Sequence, residues 1–170
     1  MPYSQESELL DYIALRRLQN RYADLVTRQA WSELTEIFRP TCTLDLALGD
    51  RNETVTGPAA IGHFISEAIA RFSFFEFAIL NTVIEIDGIH RNAVARMYMQ
   101  ELRLEVDSGR RTDAYGVYHD RFEKDDDGHW WFTERHYGSY SRTAPHESKA
   151  DQVVFPLPDR NLREWLAEIG

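Results

Sequence analysis

The sequence predicts an α+β fold in which a curved, cone-shaped sheet of mixed or antiparallel strands is wrapped by three N-terminal helices around a central pocket, with a short C-terminal helix added. Apolar residues first recur at three- and four-residue spacings, which is typical of helices, and from Phe74 to Arg142 they alternate with a period of two. Short turns join the later strands, and such turns favour an antiparallel meander. The length of 170 residues indicates one domain, with a pocket region at 1–142 and an extension at 143–170 that carries a docking helix.

The first helix is predicted from an apolar face about five turns long, which makes Tyr22 point inward. This face consists of Leu10, Ala14, Leu18, Tyr22 and Leu25. A second helix carries Trp31, Leu34 and Phe38 on one stripe. It ends before Pro40, because proline disfavours helix in the preceding residue.

From Thr41 the apolar period switches to two, which predicts a strand with one buried face. The buried positions are Cys42, Leu44, Leu46 and Leu48. Cys42 is the only cysteine, so the chain has no internal disulfide and no multi-thiolate metal site, and this alternation favours a buried structural thiol. Residues 53–56 are expected to pair back as a short hairpin arm, and a third helix opens at Gly57-Pro58.

Four long strands are predicted at 75–86, 93–106, 111–123 and 129–141, and each turn between them contains a glycine. Residues 143–158 are expected to form an irregular polar connection. Asp159 is expected to cap the final helix, whose apolar side consists of Leu162, Trp165, Leu166 and Ile169. A helix this apolar on one side must dock, either over the pocket mouth or on a neighbouring subunit.

Alternation along the strands indicates which side chains face the pocket. The predicted inward sets are Met97, Met99, Glu101 and Arg103; Ala114, Gly116, Tyr118 and Asp120; and Trp131, Thr133, Arg135, Tyr137 and Ser139. If Tyr22, Tyr118 and Tyr137 converge on Glu101, the site combines a desolvated carboxylate, which is a strong proton acceptor, with three hydrogen-bond donors. This combination predicts acid–base chemistry.

Alternatives to this interpretation are structural. Glu101 could pair with Arg103 or Arg96 at the sheet surface, and the tyrosines could simply satisfy their hydroxyls in the core. His119 and His136 have the opposite parity to the tyrosines that precede and follow them, so they point to the outer face or to an oligomer interface unless a bulge reverses them.

Composition excludes several classes of partner and cofactor. The net charge of -9 and a pI near 5.1 disfavour nucleic acid and anionic membrane surfaces. No apolar run is long enough to span a membrane, and the N-terminus lacks the pattern of a signal peptide, so a cytoplasmic protein is expected. No histidine–carboxylate spacing indicates a metal and no glycine-rich turn indicates a dinucleotide, so we expect no cofactor.

Two sequence segments indicate a family. The run RYAD at 21–24, followed by WSEL at 31–34, and the segment YGVYHDRFEKDDDGHWWFTERHYGSY resemble the SnoaL-like domain. This domain belongs to the nuclear-transport-factor-2-like superfamily, which includes scytalone dehydratase, ketosteroid isomerase and bile acid 7α-dehydratase. The resemblance covers roughly 8–142.

The resemblance to the bile acid dehydratase group implies roles for particular positions. Its helix-one tyrosine and strand carboxylate correspond to Tyr22 and Glu101, and its last-strand tyrosine corresponds to Tyr137. Tyr118 also aligns with a phenol. The family's helix-one aspartate, its pocket histidine and its last-strand arginine fall at Thr27, at Phe77 and near Ser139. The usual histidine–aspartate dyad is therefore expected to be missing.

The pattern and the resemblance together favour a cofactor-independent lyase or isomerase that acts on a small hydroxylated aromatic or polycyclic molecule, with Glu101, Tyr22, Tyr118 and Tyr137 as the catalytic groups. The positions expected to contact the substrate are Leu46, Phe77, Met97, Met99, Thr27, Ser139 and His136. The alternative is a non-catalytic ligand-binding domain or the small subunit of an aromatic-ring dioxygenase. A homo-oligomer is expected, since a curved sheet leaves an apolar outer face, and the resemblance implies a trimer or dimer.

Overall fold

The computed structural model describes residues 3–49 and 51–169. In chain order its elements are α1 (Gln5–Thr27), a 3-10 helix (Trp31–Glu36), β1 (Phe38–Ala47), β2 (Asn52–Thr56), α2 (Pro58–Ile69), β3 (Phe72–Asp87), β4 (Asn92–Glu105), β5 (Arg111–Lys124), β6 (Trp130–Thr143), β7 (Gln152–Val154) and α3 (Leu162–Ala167). None of the described helices is long and apolar enough to cross a membrane.

The seven strands form one curved, mixed sheet in the order β2-β1-β6-β5-β4-β3, with the short β7 paired to β6. β1 runs parallel to β6, and every other pair is antiparallel. The register places Tyr118 opposite both Tyr137 and Met97, and it places Glu101 opposite both Phe77 and Ala114. The fold is therefore of the predicted α+β class. The register also brings the predicted inward residues of neighbouring strands together.

Helix α1 lies across the concave face of the sheet and contacts β3 and β6. Ser4 caps its first turn by accepting a hydrogen bond from the Ser7 amide. Its buried face consists of Asp11, Leu15, Gln19, Tyr22, Leu25 and Val26. Leu10, which was expected on this face, is exposed, and Asp11 is buried in its place. The Asp11 carboxylate accepts hydrogen bonds from Trp130 Nε1 and Lys124 Nζ.

The second predicted helix is wrong in its extent. Only a 3-10 helix forms, and Phe38 begins β1 with its side chain in the core. Pro40 lies inside β1, where the pairing with β6 shifts register between Phe38 and Thr43. Because the ladder is interrupted there, a residue without an N–H is tolerated within the strand.

Cys42 is buried on the inner side of β1, as predicted, and desolvation raises the pKa of its thiol to about 12. The thiol therefore stays protonated at neutral pH, and a protonated thiol is a poor nucleophile.

A β-bulge on β6 reverses part of the predicted inward set. Glu134 pairs with Arg121 but Phe132 pairs with Phe122, so one extra residue, Thr133, lies between them. A bulge changes side-chain parity along the strand. Trp130 and Phe132 consequently face the core, and the predicted inward positions Trp131 and Thr133 do not.

The C-terminal helix α3 docks at a place that differs from both expectations. Asn161, rather than Asp159, caps it. Leu162 and Trp165 are buried against Val94 of β4, on the outer face of the sheet in the same chain. Asp159 instead accepts a hydrogen bond from Arg96. The helix therefore covers part of the outer face and lies away from the concave side.

The edge strand β3 leaves a group of apolar side chains accessible to solvent. These are Phe74, Leu80 and Val83. The expected homo-oligomer stays a prediction.

Candidate active site

The concave face of the sheet and α2 enclose a cavity of about 450 Å³. All four predicted acid–base residues line it, and so do three of the expected substrate contacts. These lining residues are Tyr22, Glu101, Tyr118, Tyr137, Leu46, Phe77 and Ser139. Exposed residues of α2 and of the turns form its rim, whereas Tyr22 and Val26 of α1 are fully buried at its inner end.

The three tyrosines form a continuous group in the inner wall. The hydroxyls of Tyr22 and Tyr118 lie 3.4 Å apart, within hydrogen-bond distance, and the rings of Tyr118 and Tyr137 are 5.0 Å apart. Desolvation raises the pKa of all three phenols, that of Tyr118 well above its usual value. At neutral pH these phenols are therefore protonated and can donate hydrogen bonds to a ligand oxygen.

A buried ion pair packs against the rings of this tyrosine group. The guanidinium of Arg135 binds Asp120 with two hydrogen bonds, Nε to Oδ1 at 2.7 Å and Nη2 to Oδ2 at 3.2 Å. Its Cζ lies 3.9 Å from the ring centre of Tyr22 and 4.1 Å from that of Tyr118. The cation is thus held against both phenol rings, a favourable contact in a desolvated site.

The sequence pattern places Asp120 and Arg135 at inward positions but indicates no role for them. The two residues are directly opposite in the β5–β6 register. Opposite charges at inward positions of neighbouring strands are the signal that would have identified this pair, since buried charges are almost always paired.

Glu101 of β4 faces the cavity and also pairs with Arg103. Its Oε2 lies 3.4 Å from Arg103 Nε, and the two side chains are 23% and 10% exposed, respectively. Desolvation raises the pKa of the Glu101 carboxyl, and Arg103 and Arg71 oppose this rise. The predicted site and one structural alternative therefore coexist. The other alternative is wrong, because Arg96 lies on the outer face and binds Asp159.

A glycine opposite Tyr137 allows its ring to lie against β5. A Cβ added at Gly116 would be 2.1 Å from Tyr137 Cε2 and 2.7 Å from the phenol oxygen. No larger residue leaves room for the ring in this position, so Gly116 helps to set the direction of the Tyr137 hydroxyl.

Four expected substrate contacts are not among the residues that line this cavity. Met97 and Met99 are fully buried in the core. The sheet near Met97 is covered by α1, since Gln19 donates to Thr82, the residue opposite Met97. Met97, Met99 and Glu101 therefore lie on the same side of β4, but Glu101 lines the cavity and the two methionines are in the core.

Thr27 and His136 are the other two. The Thr27 hydroxyl accepts a hydrogen bond from the Phe77 amide at 3.1 Å. The two positions at which the resemblance implied an aspartate and a histidine are thus neighbours in space, and neither carries an acid–base group. His136 points to the outer face, as its parity indicated.

The outer-face histidines belong to a second, shallower cavity of about 430 Å³. His119 accepts a hydrogen bond from Arg96, and burial together with Arg96 and Arg160 lowers its pKa to about 4. Among the described residues, Asp45, Glu134 and His136 form the group whose ligand atoms lie close enough to hold a metal ion, all within 4.8 Å of one another. Arg121 binds Glu134 at 3.1 Å and competes for this carboxylate.

Comparison with known proteins identifies relatives of this architecture. The sequence profile described as the SnoaL-like domain matches residues 7–136. No curated protein matches the chain in sequence.

Many solved structures resemble the fold. One is a protein described as a scytalone dehydratase from Novosphingobium aromaticivorans DSM 12444, with 21% identity, a TM-score of 0.73, and coverage of 87% of this chain and 96% of that chain. Another is the hexachlorocyclohexane dehydrochlorinase LinA-type3 from Novosphingobium barchaimii LL02, with 16% identity, a TM-score of 0.71, and coverage of 91% and 100%. A third is a protein described as an aromatic ring hydroxylase from Novosphingobium aromaticivorans, with 22% identity, a TM-score of 0.66, and coverage of 77% and 90%. At these identities the likeness establishes the fold.

Proposed function

Since this chain belongs to the SnoaL-like domain family, we propose that it is a cofactor-independent lyase or isomerase that acts on a small hydroxylated aromatic or polycyclic molecule. The observation that carries the proposal is that the desolvated carboxylate of Glu101 lines the same cavity as Tyr22, Tyr118 and Tyr137. A proton acceptor and several oxygen-binding donors in one apolar cavity are the groups that an elimination or a proton shift requires.

Glu101 is the proposed general base. Its raised pKa makes the carboxylate a stronger proton acceptor than an exposed glutamate, while the charge of Arg103 opposes this rise and favours the ionised form. In a dehydration, Glu101 takes a proton from carbon and the C–H electron pair forms the new double bond. The C–O bond breaks on the neighbouring carbon, and the oxygen leaves as water with a second proton.

The phenols are proposed to bind the departing oxygen. Tyr137 is near enough to Glu101 for the carboxylate charge to raise its pKa further, so the base and this donor lie on the same part of the wall. A protonated phenol supplies a hydrogen bond to the leaving oxygen and then its proton, which the newly formed carboxylic acid of Glu101 can return. In an isomerisation the same donors would stabilise an enolate oxygen.

The cavity wall favours a flat apolar substrate. Besides the tyrosines it contains Phe72, Phe75, Phe77, Ile65 and Leu46. A volume of about 450 Å³ is within the usual range for pockets that hold a small organic ligand. Two structural neighbours are named as a dehydratase and a dehydrochlorinase, and both names denote eliminations.

A test compares Glu101→Gln with the wild-type protein on a panel of aromatic β-hydroxy ketones and secondary alcohols, with the new conjugated double bond followed by absorbance. We expect a loss of about 100-fold or more in kcat/KM, the range for removing a general base. Glu76→Gln is the matched control, because Glu76 is exposed on β3, one residue before Phe77. Undiminished turnover in Glu101→Gln would remove the proposed base.

A non-catalytic ligand-binding domain or oxygenase small subunit is the second candidate. Two observations favour it. Thr27 and Phe77, at which the resemblance implied an aspartate and a histidine, carry no acid–base group, and Glu101 is paired with Arg103. This candidate predicts ligand binding by wild-type protein without turnover of any compound in the panel.

A further inference from the structure

We propose that the molecule bound in this cavity carries a carboxylate, which binds to an arginine pair formed by Arg71 and Arg103. The inference rests on the proposed function only in taking this cavity as the substrate site. It adds a chemical class, an aromatic or polycyclic acid, to that proposal.

Arg103 has a buried N–H group that lacks a hydrogen-bond acceptor among the described residues. Its side chain is 90% buried and lines the cavity, yet its Nε is a buried nitrogen without a hydrogen-bond partner among the residues that the structure describes. The contact with Glu101 at 3.4 Å has the distance of an ion pair without the alignment of a hydrogen bond. A guanidinium has five N–H donors in a planar fork, and leaving the Nε–H donor unpaired in a buried site costs free energy that an acceptor on a ligand would recover.

Arg71 and Arg103 both line the cavity, and both contact the ring of Phe72. The Cζ atoms of Arg71 and Arg103 lie 4.9 Å and 5.2 Å from the ring centre of Phe72. Within 3–49 and 51–169, the Arg71 guanidinium makes no hydrogen bond or ion pair, although its charge reaches Glu101. Two cations therefore face one carboxylate, which leaves about one positive charge for an anionic ligand.

This local charge contrasts with the rest of the molecule. The chain has a net charge of -9, which repels anions at a distance. The cavity nevertheless has Arg71 and Arg103 in its lining, and the positive charge of each acts on the carboxylate of Glu101. In an acidic protein, a cationic wall around an apolar cavity is expected where the ligand itself is an acid.

The position of the pair also relates the anion to the proposed base. Because Arg103 lies against Glu101, a carboxylate bound to Arg103 places its neighbouring carbon next to Glu101. The ligand must also compete with Glu101 for the same guanidinium. Removing the Glu101 charge should therefore strengthen binding of an acid without changing the binding of a neutral analogue.

The experiment measures binding by calorimetry for three acids, benzoate, cinnamate and 2-naphthoate, and for their amides. In the wild-type protein at least one acid should bind about tenfold more tightly than its amide. Arg103→Met and Arg71→Met should each weaken the acid by about tenfold and change the amide by less than about twofold. Arg71 is exposed, so its variant tests the pair even if Arg103→Met fails to fold.

Arg163→Met is the matched control, because Arg163 lies on α3, is 84% exposed and pairs with Glu85. Its acid affinity should equal that of the wild type. Equal affinities for each acid and its amide, no binding of any acid at millimolar concentration, or equal weakening of acid and amide in both arginine variants would overturn the inference.

Glu101→Gln separates this inference from the proposed function. Stronger acid binding together with unchanged turnover would support the carboxylate site and refute the proposed base. Lost turnover without any preference for the acid would support the base and refute the carboxylate site.

Discussion

Asp120→Asn should destabilise the protein strongly, because it leaves the Arg135 cation buried without its counter-ion. The two side chains are 0% and 1% exposed. The asparagine keeps the shape of the aspartate and can still accept a hydrogen bond from Nε, so the change removes charge and little volume. The Nη1 of Arg135 already lacks a hydrogen-bond partner among the described residues, so no neighbouring group replaces the lost carboxylate.

The expected loss follows from the interaction that is removed. Two unit charges about 4 Å apart attract by about 4 kcal/mol at an effective dielectric constant of about 20, and breaking a buried pair costs about 3–5 kcal/mol in comparable cases. The retained hydrogen bond and the aromatic rings against Arg135 place this variant near the lower end, at about 3 kcal/mol. For a chain of this length, that loss lowers the Tm by roughly 6–12 °C.

The assay is urea unfolding at neutral pH, monitored by tyrosine and tryptophan fluorescence, with the free energy of unfolding extrapolated to water. Asp159→Asn is the matched control, because Asp159 also pairs with an arginine, Arg96, at 2.8 Å but is 85% exposed. It should cost no more than about 0.5 kcal/mol. The double variant Asp120→Leu with Arg135→Met removes both charges and should be more stable than Asp120→Asn. A cost below about 1 kcal/mol for Asp120→Asn would refute the conclusion that this pair is desolvated and mutually dependent.

Four further outcomes are expected. Because burial and two nearby arginines lower the pKa of His119 to about 4, the folded protein keeps this imidazole neutral while the unfolded chain binds a proton below its usual pKa. Stability should therefore fall by about 2 kcal/mol as the pH drops from about 6.5 toward 4, and urea titrations should show that His119→Gln removes this fall but the exposed His63→Gln does not. Gly116→Ala should displace the Tyr137 ring, cost about 1–3 kcal/mol and lower turnover as much as Tyr137→Phe, and unchanged kinetics would contradict the proposed role of that phenol. Trp165→Ala should cost about 3–5 kcal/mol in unfolding experiments but leave kcat unchanged in the folded protein, since Trp165 packs on the outer face away from the cavity. The exposed apolar side chains of β3 predict a dimer or trimer in sedimentation velocity, and a monomer at micromolar concentration would count against it.

The inward direction of the main site residues could be predicted from the sequence alone. Tyr22 lies on a 3.6-residue stripe, and Glu101 and Tyr118 lie on alternating strands, so their direction follows from the local backbone period. The same rule correctly predicted that the His119 side chain points to the outer face. The register then brought these positions together across β4 and β5, as short antiparallel connections require.

Other features depended on contacts between residues distant in the chain. The bulge at Thr133 reversed the parity of Trp131, and nothing in the local pattern distinguishes it from a regular strand. Phe38 continued the apparent helical stripe, yet pairing with β6 drew it into β1. The docking place of α3 was likewise left open, because an apolar face specifies that a helix is buried but not against which surface.

The sequence by itself therefore determined the type of most elements, the two faces of most strands and the candidate base Glu101. Only the tertiary structure decided which part of the concave face stays open. Helix α1 covers the sheet near Met97, whereas the part of the sheet near Glu101 lines the cavity. The tertiary structure also decided that Arg71 and Arg103 both contact Phe72, and that Asp120 and Arg135 form a buried pair against the tyrosine rings. Periodicity is a property of a few neighbouring residues, whereas depth in a cavity and pairing of charges depend on how whole elements pack.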